Sequence, residues 1–232
     1  MPQITADTPF GAALKDLAAD PRYKIYLEIG TFDGEGSTKC FIEGLEARTE
    51  TDLSGAGLFS IEANRDLWMV ASRYWQNKNP PARILWGRLA ERMMGAEKVE
   101  AHPLFETSKE QYDTYYKSDL QHFLKAPLVR FRRADVVLLD GGEFCAPGDW
   151  DAVRVLKPKV VALTGTNRLK GEGLFKELFL RRNWRPILVG NGTAILESPG
   201  EADEFYSALP ADGDHREAHL RLAEGTGATP TD

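Results

Sequence analysis

Residues 25–38, IYLEIGTFDGEGST, place Glu28, three glycines and a closing Ser37-Thr38 pair in an order that suits a nucleotide-like ligand. The apolar start (Ile25, Tyr26, Leu27, Ile29) reads as a buried strand, and it runs into a loop with Gly30, Gly34 and Gly36. Ser37 and Thr38 then open a helical pattern. A strand that turns through glycines straight into a helix gathers backbone N–H groups and the positive helix end at one point, which attracts an anionic group. The glycines are expected to remove Cβ atoms where that ligand lies against the backbone. Glu28 sits inside the apolar strand, where an acid is costly unless paired, so it reads as bonded to the loop, to a ligand, or to both.

Three further acids stand at the ends of apolar runs. Glu62 follows Phe59-Ser60-Ile61, and a carboxylate there can accept both hydroxyls of a ribose or cap the helix that starts at Ala63-Asn64-Arg65. The ribose contact would be worth roughly 1.5–3 kcal/mol. Asp140 ends the run 135–139 beside Gly141-Gly142, a placement expected in an active site. Glu143 reads either as a general base or as a loop acid or cap.

The elements that must position these acids follow from hydrophobic period. Short apolar strands are expected at 24–29, 58–61, 83–86, 135–139 and 159–163, separated by helical patterns at 37–47, 64–74 and 149–156. A helix at 10–19 precedes them, a long helical and loop region covers 88–130, and a helix at 172–182 follows. Then the period changes: 184–189, the turn Gly190-Asn191-Gly192, and 193–196 read as a β-hairpin. This order implies an α/β, Rossmann-like, mostly parallel sheet with helices on both faces and a C-terminal antiparallel β-hairpin. One domain is expected over 1–199, with a weakly structured acidic tail over 200–232 that includes a short helical stretch, REAHLRLAE.

The loop spacing discriminates among ligands. A dinucleotide fold wants G-x-G-x-x-G, and Phe32 stands where its second glycine would be. The arrangement resembles motif I, E-x-G-x-x-x-G, of the class I S-adenosylmethionine (SAM)-dependent methyltransferases, with Glu28, Gly30 and Gly34 at the matching positions. Gly36-Ser37-Thr38 resembles the variant in the catechol O-methyltransferase-like and cephalosporin-hydroxylase-like branches. LLDGGEF (138–144) resembles the I-D-G-x-H block of the latter, with Glu143 in the histidine position. The resemblance implies SAM as cofactor, held by Glu28, Gly30, Thr31, Phe32, Gly34, Ser37 and Glu62, with adenine near the backbone of Gly87. The acid often found after strand 3 is replaced by Gly87-Arg88-Leu89. Asp140 and Glu143 would orient or deprotonate the hydroxyl of a small-molecule or sugar acceptor.

Catechol-type relatives add a second acid after strand 5. Here the segment is Leu163-Thr164-Gly165-Thr166-Asn167, so only Asn167 remains beside Asp140 and Glu143, and a divalent metal is not expected. Two other readings stay open: a catalytically inactive SAM-fold binding or assembly module, and a nicotinamide-dependent reductase, against which Phe32 speaks.

Composition excludes several classes. Eight acids against Arg216 and Arg221 in 200–232 account for the whole net charge of −6, so residues 1–199 are neutral. A neutral body gives no electrostatic footprint for nucleic acid. No apolar stretch is long enough to span a bilayer, no signal-peptide pattern opens the chain, and cytoplasm is the expected location. Cys40 and Cys145 lie far apart, without metal-ligand spacing, and a disulfide is not expected. His122 reads as a half-buried surface residue, 130–133 as a solvated basic edge, and the aromatics of 105–123 as core or as an acceptor lid. A homodimer remains compatible with all of this.

Overall fold

The computed structural model describes residues 4–101 and 103–200. Seven strands form one sheet: β1 (Ile25–Ile29), β2 (Gly57–Glu62), β3 (Ala82–Trp86), β4 (Val136–Leu139), β5 (Val160–Thr164), β6 (Arg185–Gly190) and β7 (Thr193–Glu197). Their order is β3-β2-β1-β4-β5-β7-β6. The first five are parallel, and β7 runs antiparallel to both β5 and β6. Eight helices accompany them among the described residues: α1 (Pro9–Ala19), α2 (Ser37–Glu46), α3 (Glu50–Leu53), α4 (Arg65–Gln76), α5 (Ala96–Glu100), α6 (Pro103–Lys125), α7 (Ala146–Val153) and α8 (Leu169–Lys176).

Strand alternation decides which side chains meet which helices. Tyr26, Val136, Leu138, Val160, Ala162 and Ile195 face one way and pack with Phe10, Leu14 and Leu17 of α1, Phe41, Ile42 and Leu45 of α2, and Trp75 of α4. Their neighbours Leu27, Ile29, Val137, Leu139, Val161 and Leu163 face the other way, against Trp150 and Val153 of α7 and against Leu178 just beyond α8. A sheet covered on both faces needs strands that are apolar throughout, which is why the central ones carry so few polar residues.

Local signals set the ends of several helices. Thr8 caps α1, its hydroxyl accepting from the Gly11 N–H at 3.1 Å, with Pro9 in the first helical position. Asn64 caps α4 by accepting from the N–H groups of Asp66 and Leu67. Elsewhere the boundaries differ from those expected. The region 88–130 resolves into α5 and the 23-residue α6, and the polar link before β2 contains the short α3. The helix expected at 172–182 begins instead at Leu169 and ends as a π-helical turn over Glu177–Arg181. Residues 201–232, including the expected REAHLRLAE helix, lie outside the described residues.

Arg48, just past α2, joins the N-terminal helix to the sheet. Its guanidinium donates to the carbonyls of Ala18 (2.6 Å), Asp20 (2.7 Å) and Tyr23 (3.0 Å), and to the Tyr26 hydroxyl at 2.6 Å. The Ala18 and Asp20 carbonyls lie at the end of α1, where the helix itself supplies no donor. Arg48→Ala is expected to lower stability by about 2–4 kcal/mol, because it removes four hydrogen bonds from one guanidinium, among them the described partner of the Ala18 carbonyl. Chemical denaturation of the two proteins checks this.

Candidate functional site

The carboxyl ends of the five parallel strands open into a cleft of about 970 Å³. That volume suits a ligand with room to spare, and it lies where open α/β sheets bind theirs. Its floor comes from Gly30 after β1, Glu62 on β2, Gly87 after β3, Asp140 after β4 and Thr164 on β5.

Glu28 anchors the loop above that floor. It is fully buried. Its Oε1 accepts from the Ser37 hydroxyl at 2.5 Å, and its Oε2 accepts from Thr38 (2.6 Å) and Ser60 (2.5 Å). Ser60 is also 2.6 Å from the Thr31 hydroxyl. One carboxyl group therefore ties β1, β2, the glycine loop and the first turn of α2 together. Both of its oxygens are used inside the protein, and the residue does not line the cleft. Burial raises its pKa to about 7, against the lowering effect of the three hydroxyls.

Two glycines of the loop turn out to serve the protein before any ligand. Gly30 has φ +99°, and a Cβ there would collide with the backbone carbonyl of Asp140. Gly34, at φ +81°, leaves space for the Trp75 indole, whose Nε1 donates to the Gly34 carbonyl at 2.9 Å. Gly34 is not part of the cleft wall, whereas Gly30, Thr31, Phe32, Gly36 and Ser37 are. Several loop N–H groups are likewise taken: Gly30 and Thr31 donate to the Ile61 carbonyl, and Phe32 donates to Glu62. What remains open is the start of α2. Gly36 stands at its N-cap with no side-chain hydrogen bond to the first turn, so the positive end of a ten-residue helix meets the cleft.

Glu62 is 8% exposed and lines the cleft. Its Oε2 accepts from the Phe32 N–H and its Oε1 from the Asn64 N–H, each at 2.8 Å. A carboxylate has about four acceptor sites, and the backbone N–H groups of Phe32, Asn64 and Ala63 use part of that capacity, leaving room for a ligand hydroxyl in the cleft. Burial pushes its pKa up. The bond to Phe32 also holds that residue at φ +56°, a left-handed conformation rare for a bulky side chain, with its ring 59% exposed beside the cleft.

On the β3 side, α6 and α7 bring polar groups that sequence reasoning did not assign. Asp119 accepts from the Phe144 N–H at 3.1 Å, and Asp149 accepts from the Ala90 N–H at 3.1 Å. Burial raises the pKa of both, that of Asp149 to about 7. Asn64 and His122 approach each other at 3.3 Å across the same wall. His122, read from the sequence as a half-buried surface residue, is half-buried and lines the cleft with Phe123. Phe105, Tyr112 and Phe144 pack together away from it, as core. The basic run is a solvated edge: Arg130 pairs with Glu91 and Arg133 with Asp135.

On the β5 side, Asp140 lines the cleft and is bound by two groups, the Thr164 hydroxyl and the Lys170 ammonium at 2.8 Å. Glu143 does not line the cleft. Its Oε1 accepts from the Lys170 backbone N–H at 3.3 Å in the first turn of α8, the capping role that was the alternative to a general base. Beyond them the wall is apolar, formed by Ile4, Pro9 and Phe10 near α1 and by Leu188 and Val189 of β6.

Solved structures are similar to the chain along most of its length. A methyltransferase from Geobacter sulfurreducens superposes with a TM-score of 0.52 at 15% identity, covering 84% of this chain and 80% of its own. Cofactor-bound Rv0187 from MTB gives 0.53 at 15% identity, covering 85% and 83%. A Staphylococcus aureus structure, described provisionally as a caffeoyl-CoA O-methyltransferase, gives 0.50 at 14% identity, covering 84% and 85%. The chain has the class I methyltransferase fold. No protein-family model matches the sequence, and a search of curated proteins gave no significant match.

Some methyltransferase-fold branches hold a divalent ion at the ends of β4 and β5, and the residues here do not fit one. Asp140 is already paired with an ammonium, Glu143 caps α8, and the Asn167 carboxamide lies against the β6–β7 turn at Gly192. Among the described residues, no group of three or more His, Cys, Asp or Glu side chains is arranged to hold a metal ion.

The buried Glu28 makes stability depend on pH. Its ordinary pKa of 4.5 rises to about 7 in the folded chain, so between these values the folded state keeps a proton that the unfolded state releases. Stability from this group is present at low pH and is lost as pH rises towards 7. Glu28→Gln keeps the three hydroxyls bonded but removes the titration. Its stability relative to the wild type is therefore expected to improve by roughly 1–3 kcal/mol between about pH 5 and about pH 8. Thermal melts across that range check the sign.

Proposed function

We propose that this chain is a SAM-dependent methyltransferase that transfers a methyl group to a hydroxyl of a small-molecule acceptor. The observation that carries the reading is Glu62: a cleft-lining carboxylate at the end of β2, one strand over from the glycine loop, with acceptor capacity left for a ligand hydroxyl. A ribose presents two adjacent hydroxyls to such a carboxylate. The open start of α2, with Gly36 and Ser37, suits the carboxylate of the methionine part. Asn64, Gly87 and the wall of α6 and α7 would surround adenine, with Asp119 or Asp149 available to accept from its amino group.

When bound, SAM supplies a methyl carbon on a positive sulfonium: the acceptor oxygen's lone pair forms the O–C bond, the C–S pair returns to sulfur as a neutral thioether, and the hydroxyl proton leaves to a base. The protein's own contribution is alignment, exclusion of water and a proton acceptor. Asp140 is the candidate acceptor, because it lines the cleft and both of its described hydrogen bonds fall on Oδ1. Glu143, turned to α8, would act on the site only through that helix. The apolar wall of Ile4, Pro9, Phe10, Leu188 and Val189 suits an uncharged acceptor with an apolar face. The methyltransferase-fold neighbours, one of them described as O-directed, support the same reaction class.

No helix among the described residues is long and apolar enough to cross a membrane. Two free thiols, Cys40 and Cys145, support a reducing, cytoplasmic setting. Glu62→Ala is expected to weaken SAM binding about 10–100-fold in calorimetry. Unchanged affinity would overturn the ribose role and with it the donor assignment.

A further inference from the structure

Lys170 is a buried cation behind the cleft that neither the strand ends nor the glycine loop accounts for. It lies in the first turn of α8 with its side chain 8% exposed, while its partner Asp140 is 23% exposed and faces the cleft. A lysine this buried is rare unless paired, and a pair this buried is costly to assemble. The surrounding structure is built to hold it. Gly165 adopts φ +64°, and a Cβ there would sit 2.8 Å from both Cγ and Cε of Lys170, so the lysine stem lies across that glycine. Gly171 lets α8 approach the end of β5, since a Cβ at that position would meet the Thr164 carbonyl at 2.5 Å and the Gly165 carbonyl at 2.6 Å. The ammonium then reaches Asp140 Oδ1 at 2.8 Å and the Gly141 carbonyl at 3.5 Å. Thr164 bonds the same Oδ1.

We propose that Lys170 is a positioning residue that cancels the charge of Asp140 and aims its Oδ2 into the cleft. The inference rests on the SAM reading above and adds a physical reason for the pair. Asp140 adjoins Gly30, whose missing Cβ makes room for the Asp140 backbone carbonyl, and both residues line the cleft in which the sulfonium would be held. An uncompensated carboxylate there would favour the positively charged donor. That charge fades as the methyl group leaves, so such attraction stabilises the ground state more than the transition state and slows transfer. With Lys170 in place, the floor of the cleft carries a hydrogen-bond acceptor but little net charge. The ammonium beside Asp140 also repels a divalent cation.

The test compares the affinity of SAM with that of its demethylated product, S-adenosylhomocysteine, by calorimetry. The two differ at the sulfur by one methyl group and one positive charge. Lys170→Met is expected to raise the preference for SAM over the product about tenfold. Lys170→Arg should keep the wild-type ratio, and adding Asp140→Asn to Lys170→Met should restore it. A Lys170→Met protein that binds both ligands with the wild-type ratio overturns the proposal. A wild-type protein that binds neither ligand overturns the donor reading itself. A second measurement needs no variant at Lys170: wild-type protein mixed with Mn²⁺ should leave the free-ion resonance signal unchanged. Retention of one ion that is lost in Asp140→Asn would overturn the proposal independently.

Discussion

A carboxyl group sealed inside the sheet, with three hydroxyls closed around it, sets the geometry on which the rest of the site depends. Glu28 cannot be solvated, so Ser37, Thr38 and Ser60 must supply what water would have given. Those three residues belong to the start of α2 and to β2, so satisfying the acid also fixes where the helix begins and how the neighbouring strand stands beside it. The glycine loop between them has little freedom left. Its backbone is tied to Ile61 and to Glu62, and Phe32 is held in an uncommon conformation as a result. The site is thus shaped before a ligand arrives, which lowers the ordering cost of binding.

The same logic of internal satisfaction runs along the cleft. Glu62 and Asp140 stand at strand ends, Asp119 and Asp149 on α6 and α7, and each of these carboxyl groups has at least one hydrogen bond from the protein. They differ in what they leave exposed. Glu62, bonded by backbone N–H groups alone, keeps acceptor capacity toward the cleft, while Asp140 has its described partners on one oxygen and a buried cation behind it. Four acids in one cleft would repel one another and any anionic group. Burial already raises the pKa of three of them, and Lys170 offsets the charge of the fourth.

Much of this was legible in the residues. The short continuous apolar runs located the five parallel strands, and Gly190-Asn191-Gly192 marked the hairpin. The glycine loop, Glu62 and Asp140 all reach the cleft from the positions that their strand ends implied. Other features were hidden because they depend on approach in three dimensions. Gly34 reads like a ligand glycine, yet it makes room for an indole forty-one residues away. Glu143 reads like a catalytic acid, yet its carboxylate meets a helix N-terminus that local pattern had placed three residues later. Lys170 gave no signal of its own; the nearest hint was the pair of glycines, Gly165 and Gly171, that clear its path. Asp149 looked like a helix-opening acid, and only the fold of 88–101 beneath it shows what it bonds.

The hairpin β6–β7 closes one side of the cleft while forming the free margin of the sheet. Leu188 and Val189 belong to β6, which pairs with a single neighbour and carries a register irregularity between Pro186 and Leu188. Few other elements depend on its side chains. Substitutions there can reshape that wall without disturbing Glu28, Glu62 or the packing of the central strands. The molecule thus separates a conserved-by-physics half, where every group is cross-braced, from a margin whose contour is cheap to alter, and new selectivity can be explored at the margin with the scaffold left intact.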